Sequence, residues 1–120
     1  MLFRSDVDVY QERGNLYFDL GRTEEALSDF KKSIRLAPDD DYNWYNLGNL
    51  YDELNDYQKA IECYDQAIRI APMDPIYYYN RAYIHYEVDD MKNACLDWGK
   101  AANLGDRDAM EMLRIYCIDE

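Results

Sequence analysis

Residues 44–51 read WYNLGNLY, from Trp44 to Tyr51. Trp44, Leu47, Gly48 and Tyr51 fall at offsets of three, four and seven, so they lie on one face of a helix, and Leu54 extends that face. A second helical stripe follows through Ala60, Tyr64, Ala67 and Ile68. Between the two, NDYQ (residues 55–58) places Asp56 where a carboxylate can cap the free amides of the second helix. Pro72 then prevents that helix from running on. The stretch therefore predicts a helical hairpin. Gly48 and Ala60 let its two helices approach closely, and Trp44 and Tyr64 fill space around them.

The same pattern recurs with a period of 34 residues. Segments 7–40, 41–74 and 75–108 align without gaps. Against the middle set stand Tyr10, Arg13, Gly14, Tyr17, Ala26, Phe30, Ser33 and Pro38 in the first segment. In the third stand Tyr78, Arg81, Ala82, His85, Ala94, Trp98, Ala101 and Asp106. Rings recur where rings stood, and small residues where small ones stood. Local signals mark the helix ends: Ser5 with Asp8 as a capping box, Gly21 as a left-handed helix end, and Asp74–Pro75 as a cap with a first-turn proline. After Gly105, residues 109–118 read as a seventh helix with Ala109, Met112, Leu113 and Tyr116 as its packing stripe. No segment alternates with period two, so no strand is expected.

This arrangement resembles the tetratricopeptide repeat family, whose pattern W-x2-L-G-x2-Y, Ala-x3-aromatic and Pro the middle segment matches with Tyr64 where Phe is usual. The outer segments depart from it at Arg13 and Arg81 (for Leu), His85 (for Tyr) and Asp106 (for Pro). AANLGDRDA (residues 101–109) is also similar to the related Sel1-like repeats. The resemblance implies an all-α fold: an α/α superhelix, or solenoid, of three helix-turn-helix hairpins (7–40, 41–74, 75–108) with a capping helix (109–118), together one domain. Because a single hairpin cannot bury its apolar face, stacked neighbours must share a core.

With the packing stripe assigned to structure, function falls on a second stripe rotated away from it. On the first helix of each repeat this comprises Asp8, Gln11, Glu12, Asn15, Phe18 and Asp19; then Tyr42, Tyr45, Asn46, Asn49, Asp52 and Glu53; then Ile76, Tyr79, Asn80, Tyr83, Tyr86 and Glu87. The resemblance implies that these helices line a concave surface holding a partner peptide. The candidate groove residues are Gln11, Asn15, Phe18, Tyr42, Tyr45, Asn46, Asn49, Asp52, Glu53, Tyr79, Asn80, Tyr83, Tyr86 and Glu87. Asparagine amides match a peptide backbone, tyrosines give apolar area with a hydroxyl, and the carboxylates favour Lys or Arg on the partner. A subclass of the family clamps a chaperone's C-terminal carboxylate with two Asn and several basic residues. Asn15 and Asn46 match its asparagines, but Gln11, Ile76 and Asn80 fill the basic places. Without cations the attraction for a carboxylate is lost, so a neutral or basic segment is expected and a chaperone tail is not. The plainer alternative is that the tyrosines pad neighbouring helices and the carboxylates form a solvated face, the chain being a scaffold or a self-associating assembly domain.

Composition narrows the partners further. The 120 residues carry 25 acidic and 13 basic side chains, a net charge of −12. That sign repels phosphate backbones and anionic lipid, which argues against nucleic acid and membrane surfaces. There is no apolar run of membrane-spanning length, and MLFRSDVDVY (residues 1–10) has no secretory-signal pattern, so a cytoplasmic location is expected. The three cysteines, Cys63, Cys95 and Cys117, form no CxxC pair and read as reduced, buried thiols. His85 is the only histidine and occupies a ring position, so neither a metal site nor a catalytic base is expected from it. The carboxylates of PDDD (residues 38–41) and VDD (residues 88–90) read as helix caps and not as a calcium loop. With no phosphate loop or nucleophile set, a non-enzyme without cofactor is expected.

Overall fold

The computed structural model describes residues 5–117. Within them lie seven α-helices: α1 (Asp6–Asp19), α2 (Thr23–Leu36), α3 (Asp41–Glu53), α4 (Tyr57–Ile70), α5 (Pro75–Glu87), α6 (Met91–Asn103) and α7 (Arg107–Tyr116). No strand occurs among the described residues. Residue 118 of the expected capping helix lies outside them. No described helix is long and apolar enough to cross a membrane.

The helices form two compact units, one ending at Ile70 and one beginning at Ala71. In the first, α1 packs on α2, α3 on α4, and α2 on α3. Its core is built from Ala26, Phe30, Leu47, Leu50, Ala60, Tyr64 and Ala67. The close approach expected at Gly48 is observed: a Cβ there would lie 2.7 Å from the Tyr64 ring. Gly14 meets Phe30 in the same way, at 2.6 Å. In the second unit, α5 packs on α6 and α7 on α6, around Tyr77, Tyr78, Ala82, Ala94, Trp98, Ala101 and Ala109.

Helix ends follow the local chemistry. Ser5, Asp56, Asp74 and Asp106 accept from the amides of Asp8, Lys59, Ile76 and Ala109. Each hairpin turns on a residue with positive φ: Gly21 at 75°, Asn55 at 60° and Asp89 at 63°. Asn and Asp are the non-glycine residues that best tolerate this region. The residue after each closes the helix end, as when the Asp56 amide donates to the Tyr51 carbonyl at 2.8 Å. The ring opening the second and third repeats is anchored alike: Trp44 Nε1 donates to the Pro38 carbonyl at 2.9 Å, and the Tyr78 hydroxyl to that of Pro72 at 2.8 Å.

Two expectations need correction or completion. Cys95 and Cys117 are not reduced thiols but form a disulfide, which ties α6 to the residue after α7. An odd cysteine count with no paired motif gives no sequence signal for it. Cys63 alone is a free, buried thiol. Burial, then the charges of Glu62, Asp56 and Asp65, push it up to about 12, so it stays protonated at neutral pH. The departures at Arg13 and Arg81 have a physical reason as well. Each guanidinium donates through Nε and Nη2 to both oxygens of an aspartate sixteen residues on, at 2.7–2.8 Å: Arg13 to Asp29, and Arg81 to Asp97. Both aspartates are buried. The middle repeat has Leu47 and Cys63 at these positions, so one arrangement is an ion pair and the other an apolar contact.

Candidate functional site

In the first unit a cleft of about 260 Å³ opens between α1 and α3. Asn15, Phe18 and Asp19 form its α1 wall, and Tyr42, Tyr45, Asn46 and Asn49 its α3 wall. All seven belong to the second stripe. The chemistry is mixed. Phe18 and the tyrosines supply apolar area, with the Tyr42 and Tyr45 rings 6.2 Å apart. None of the wall residues is basic, and Asp19 contributes a carboxylate.

Two asparagines of the α3 wall differ in their bonding. Asn46 is only 5% exposed, and among the described residues its Nδ2 has no hydrogen-bond partner. A buried amide donor left unmade costs about 1–3 kcal/mol. Asn49, one turn on, is half-buried, and its Oδ1 accepts from the Tyr64 hydroxyl at 2.5 Å. Tyr64 is wedged against Gly48 and buried, and desolvation, followed by the charge of Asp52, raises its pKa, so the hydroxyl remains a donor. With Oδ1 occupied, the Asn49 NH2 is left for the cleft. By spacing alone Tyr64 is a core ring; the one residue-level signal of its hydroxyl is a tyrosine in place of the usual phenylalanine.

Other candidates are placed differently. Gln11 is outside the cleft wall: its amide donates to Asp40 Oδ2 at 3.1 Å and to Asn43 Oδ1. Asn43, outside the predicted stripe and buried, in turn donates to the carbonyls of Ser33 and Ala37, both at 3.1 Å. These bonds bind the start of α3 to α1 and α2. Asp52 and Glu53 follow Asn49 on the last turn of α3, beyond the wall.

On α5, in the second unit, Tyr83 and Glu87 are exposed and Tyr79 and Asn80 half-buried. Burial, then Asp108 and Asp106, raises the Tyr79 pKa. Tyr86 is drawn into an aromatic cluster, its ring centroid 6.1 Å from Trp98 and 5.0 Å from Tyr116.

A larger cleft, about 470 Å³, is lined in the first unit by Trp44, Leu47, Tyr51, Lys59, Glu62, Cys63 and Gln66. Its volume exceeds that of the α1–α3 cleft, but its walls hold no unpartnered buried polar atom among the described residues. The polar site is therefore the better candidate. Among the described residues, no group of three or more His, Cys, Asp or Glu is arranged to hold a metal ion.

Two family models match the sequence: one described as Tetratricopeptide repeat over residues 43–74, and one described as TPR repeat over residues 14–54. The chain belongs to the tetratricopeptide repeat family. Solved structures of such domains share its fold. The first TPR of Spaghetti (RPAP3), bound to an HSP90 peptide of sequence SRMEEVD, has a TM-score of 0.86 at 21% identity, over 93% of this chain and 90% of that one. The first TPR domain of human RPAP3, solved by NMR, gives 0.84 at 21% identity, over 92% and 89%. The crystal structure of MamA gives 0.78 at 21% identity, over 82% of this chain and 58% of that one. No curated protein matches the sequence. As a tetratricopeptide repeat protein, the chain has a middle repeat close to the family pattern, and the third hairpin lies outside both matched segments.

Proposed function

We propose that this protein is a non-catalytic interaction module that holds an extended segment of a partner protein, with the α1–α3 cleft as its central contact. The observation that carries this reading is the cleft itself, in which Asn15, Asn46 and Asn49 stand beside Phe18, Tyr42 and Tyr45. The Tyr64 hydroxyl occupies Oδ1 of Asn49 and leaves its NH2 as a donor. Asparagine amides suit the polar groups of a peptide backbone, and Phe18, Tyr42 and Tyr45 suit an apolar side chain next to it.

The charge of the partner follows from what surrounds the cleft. The RPAP3 relative binds the acidic peptide SRMEEVD. Here Asp19 stands in the wall, no wall residue is basic, and the chain carries a net charge of −12. Coulombic repulsion therefore opposes an acidic tail, and a neutral or Lys-bearing segment is the fitting partner.

Titration with three labelled peptides tests the reading: one Lys-bearing, one neutral, and SRMEEVD. The Lys-bearing and neutral peptides are expected to bind, and Asn46→Ala to weaken both about tenfold, as for loss of one hydrogen bond in a desolvated site. Tighter binding of SRMEEVD than of the other two, or no effect of Asn46→Ala, overturns it.

A further inference from the structure

We infer that the Cys95–Cys117 disulfide is a thiol-exchange site, open to a low-molecular-weight or protein dithiol, whose reduction releases the last turn of α7 and with it Tyr116 from Tyr86. Neither the family pattern nor the proposed cleft requires this bond. It joins the middle of α6 to the residue that follows α7, across a sequence separation of 22.

The bond is accessible. Cys95 and Cys117 are both partly exposed and lie in the wall of an open cleft of about 460 Å³, with Met91, Leu96 and Leu113 as its apolar neighbours. Lys92 stands at the same cleft, where its charge favours an incoming thiolate. In the exchange, the reductant's thiolate bonds to one sulfur and the other leaves as a thiolate that takes up a proton. The reductant's second thiol then displaces the freed cysteine, so the protein gains two thiols and the dithiol becomes a disulfide.

Helix α7 depends on this tie at one end only. It has ten residues, too few for a stable helix in isolation. Its N-terminus is held by Asp106, which accepts from the Ala109 amide at 3.0 Å, and Ala109 is its only buried residue. Toward the C-terminus, Ile115 is 51% and Tyr116 40% exposed. What holds that turn is the bond at Cys117 and the Tyr116 ring, which stacks on Trp98 at 5.8 Å. Tyr116 also hydrogen-bonds the Tyr86 hydroxyl, and that bond raises the Tyr86 pKa. Opening the disulfide leaves the last turn held only through Tyr116, by its ring on Trp98 and Tyr86 and its bond to the Tyr86 hydroxyl, on a side chain 40% exposed, so it frays. Trp98, wholly buried with an unpartnered Nε1, then meets water, and Tyr86 loses the Tyr116 ring and its hydroxyl partner.

The test compares the full chain oxidised, treated with millimolar dithiothreitol, and as the Cys95→Ser/Cys117→Ser double variant, all under native conditions. Hydrogen exchange is followed at residues 112–116, and Trp98 emission is read in a Trp44→Phe background. The expected result is release of two thiols, at least a tenfold faster exchange of the last α7 turn and a red-shifted Trp98 emission. Protection in α5 and the first turn of α6 is expected to persist, and the double variant to match the reduced protein. Absence of the bond in air-oxidised protein, resistance of the bond to dithiothreitol, or an opened bond with unchanged α7 exchange each overturns the proposal.

Discussion

Tyr64 stands where this family usually places phenylalanine, and the ring alone does not account for its hydroxyl, which donates to Asn49 at 2.5 Å. Tyr64→Phe keeps the ring against Gly48 and removes only that bond. Asn49 is half-buried at the cleft, so water can replace the lost donor, and the expected stability loss is about 1 kcal/mol or less by denaturant titration. Peptide affinity is expected to fall several-fold, because the Asn49 amide is then free to rotate. Equal affinity in the two proteins would show that the hydroxyl serves the core alone. Cys63 offers a second residue-scale test. Its folded pKa of about 12 lies above the ordinary 9.0, so the folded state holds its proton more tightly than the unfolded state. Its contribution is therefore complete below pH 9 and is lost as pH rises toward about 12, at up to about 1.4 kcal/mol per pH unit. Urea midpoints taken at pH 8 and above should fall less steeply in Cys63→Ala than in the parent. Neither role could be read from spacing, which assigns a residue to a face but says nothing of which polar atom it meets there.

The hairpin shows more clearly what a sequence pattern carries. Helix number, the small residues at Gly14 and Gly48, and the caps at Asp56 and Asp74 were all legible, because each depends on neighbours a few positions away or one period away. The left-handed residues of the second and third hairpins, Asn55 and Asp89, were not, since their identity with Gly21 is conformational and not compositional. The pairing of Arg81 with Asp97 was hidden for another reason: Arg81 looked like a lapse from Leu until its partner sixteen residues on was seen. The pair predicts an asymmetry. Asp97→Ala strips the bidentate partner from a guanidinium only 18% exposed and is expected to cost about 3–5 kcal/mol, as for a broken buried pair. Asp29→Ala should cost less, because the Arg13 side chain is 47% exposed and water can solvate it. Replacing both members, as Arg81→Leu with Asp97→Val, approaches the Leu47–Cys63 arrangement and should restore most of the loss. Thermal melts of the four proteins decide it; a double variant no better than Asp97→Ala would mean that the charge pair fixes the hairpin geometry. Gly99 gives a control within α6, since a Cβ there meets nothing within 4 Å. Gly99→Ala is expected to stabilise by up to about 1 kcal/mol, where Gly48→Ala must displace the Tyr64 ring and destabilise.

At the scale of the whole molecule the dominant fact is a net charge of −12 on 120 residues. Charge of this kind acts at long range, whereas the Asn46 and Asn49 contacts act only within hydrogen-bond reach, so the two contributions separate kinetically. Steering by the field sets the rate of encounter, and contacts in the cleft set the rate of escape. For a Lys-bearing peptide the association rate should fall roughly tenfold between low and physiological salt, where the screening length shrinks to about 8 Å. The rate for a neutral peptide should hardly change. Asn46→Ala should speed dissociation of both while leaving the salt slope of association as it was, because the variant alters no charge. Stopped-flow measurements over a salt series provide all four quantities. If instead salt changed only dissociation, the carboxylates would be making short-range pairs with the peptide, and Asp19, the one acidic residue in the cleft wall, would be the first to replace with asparagine.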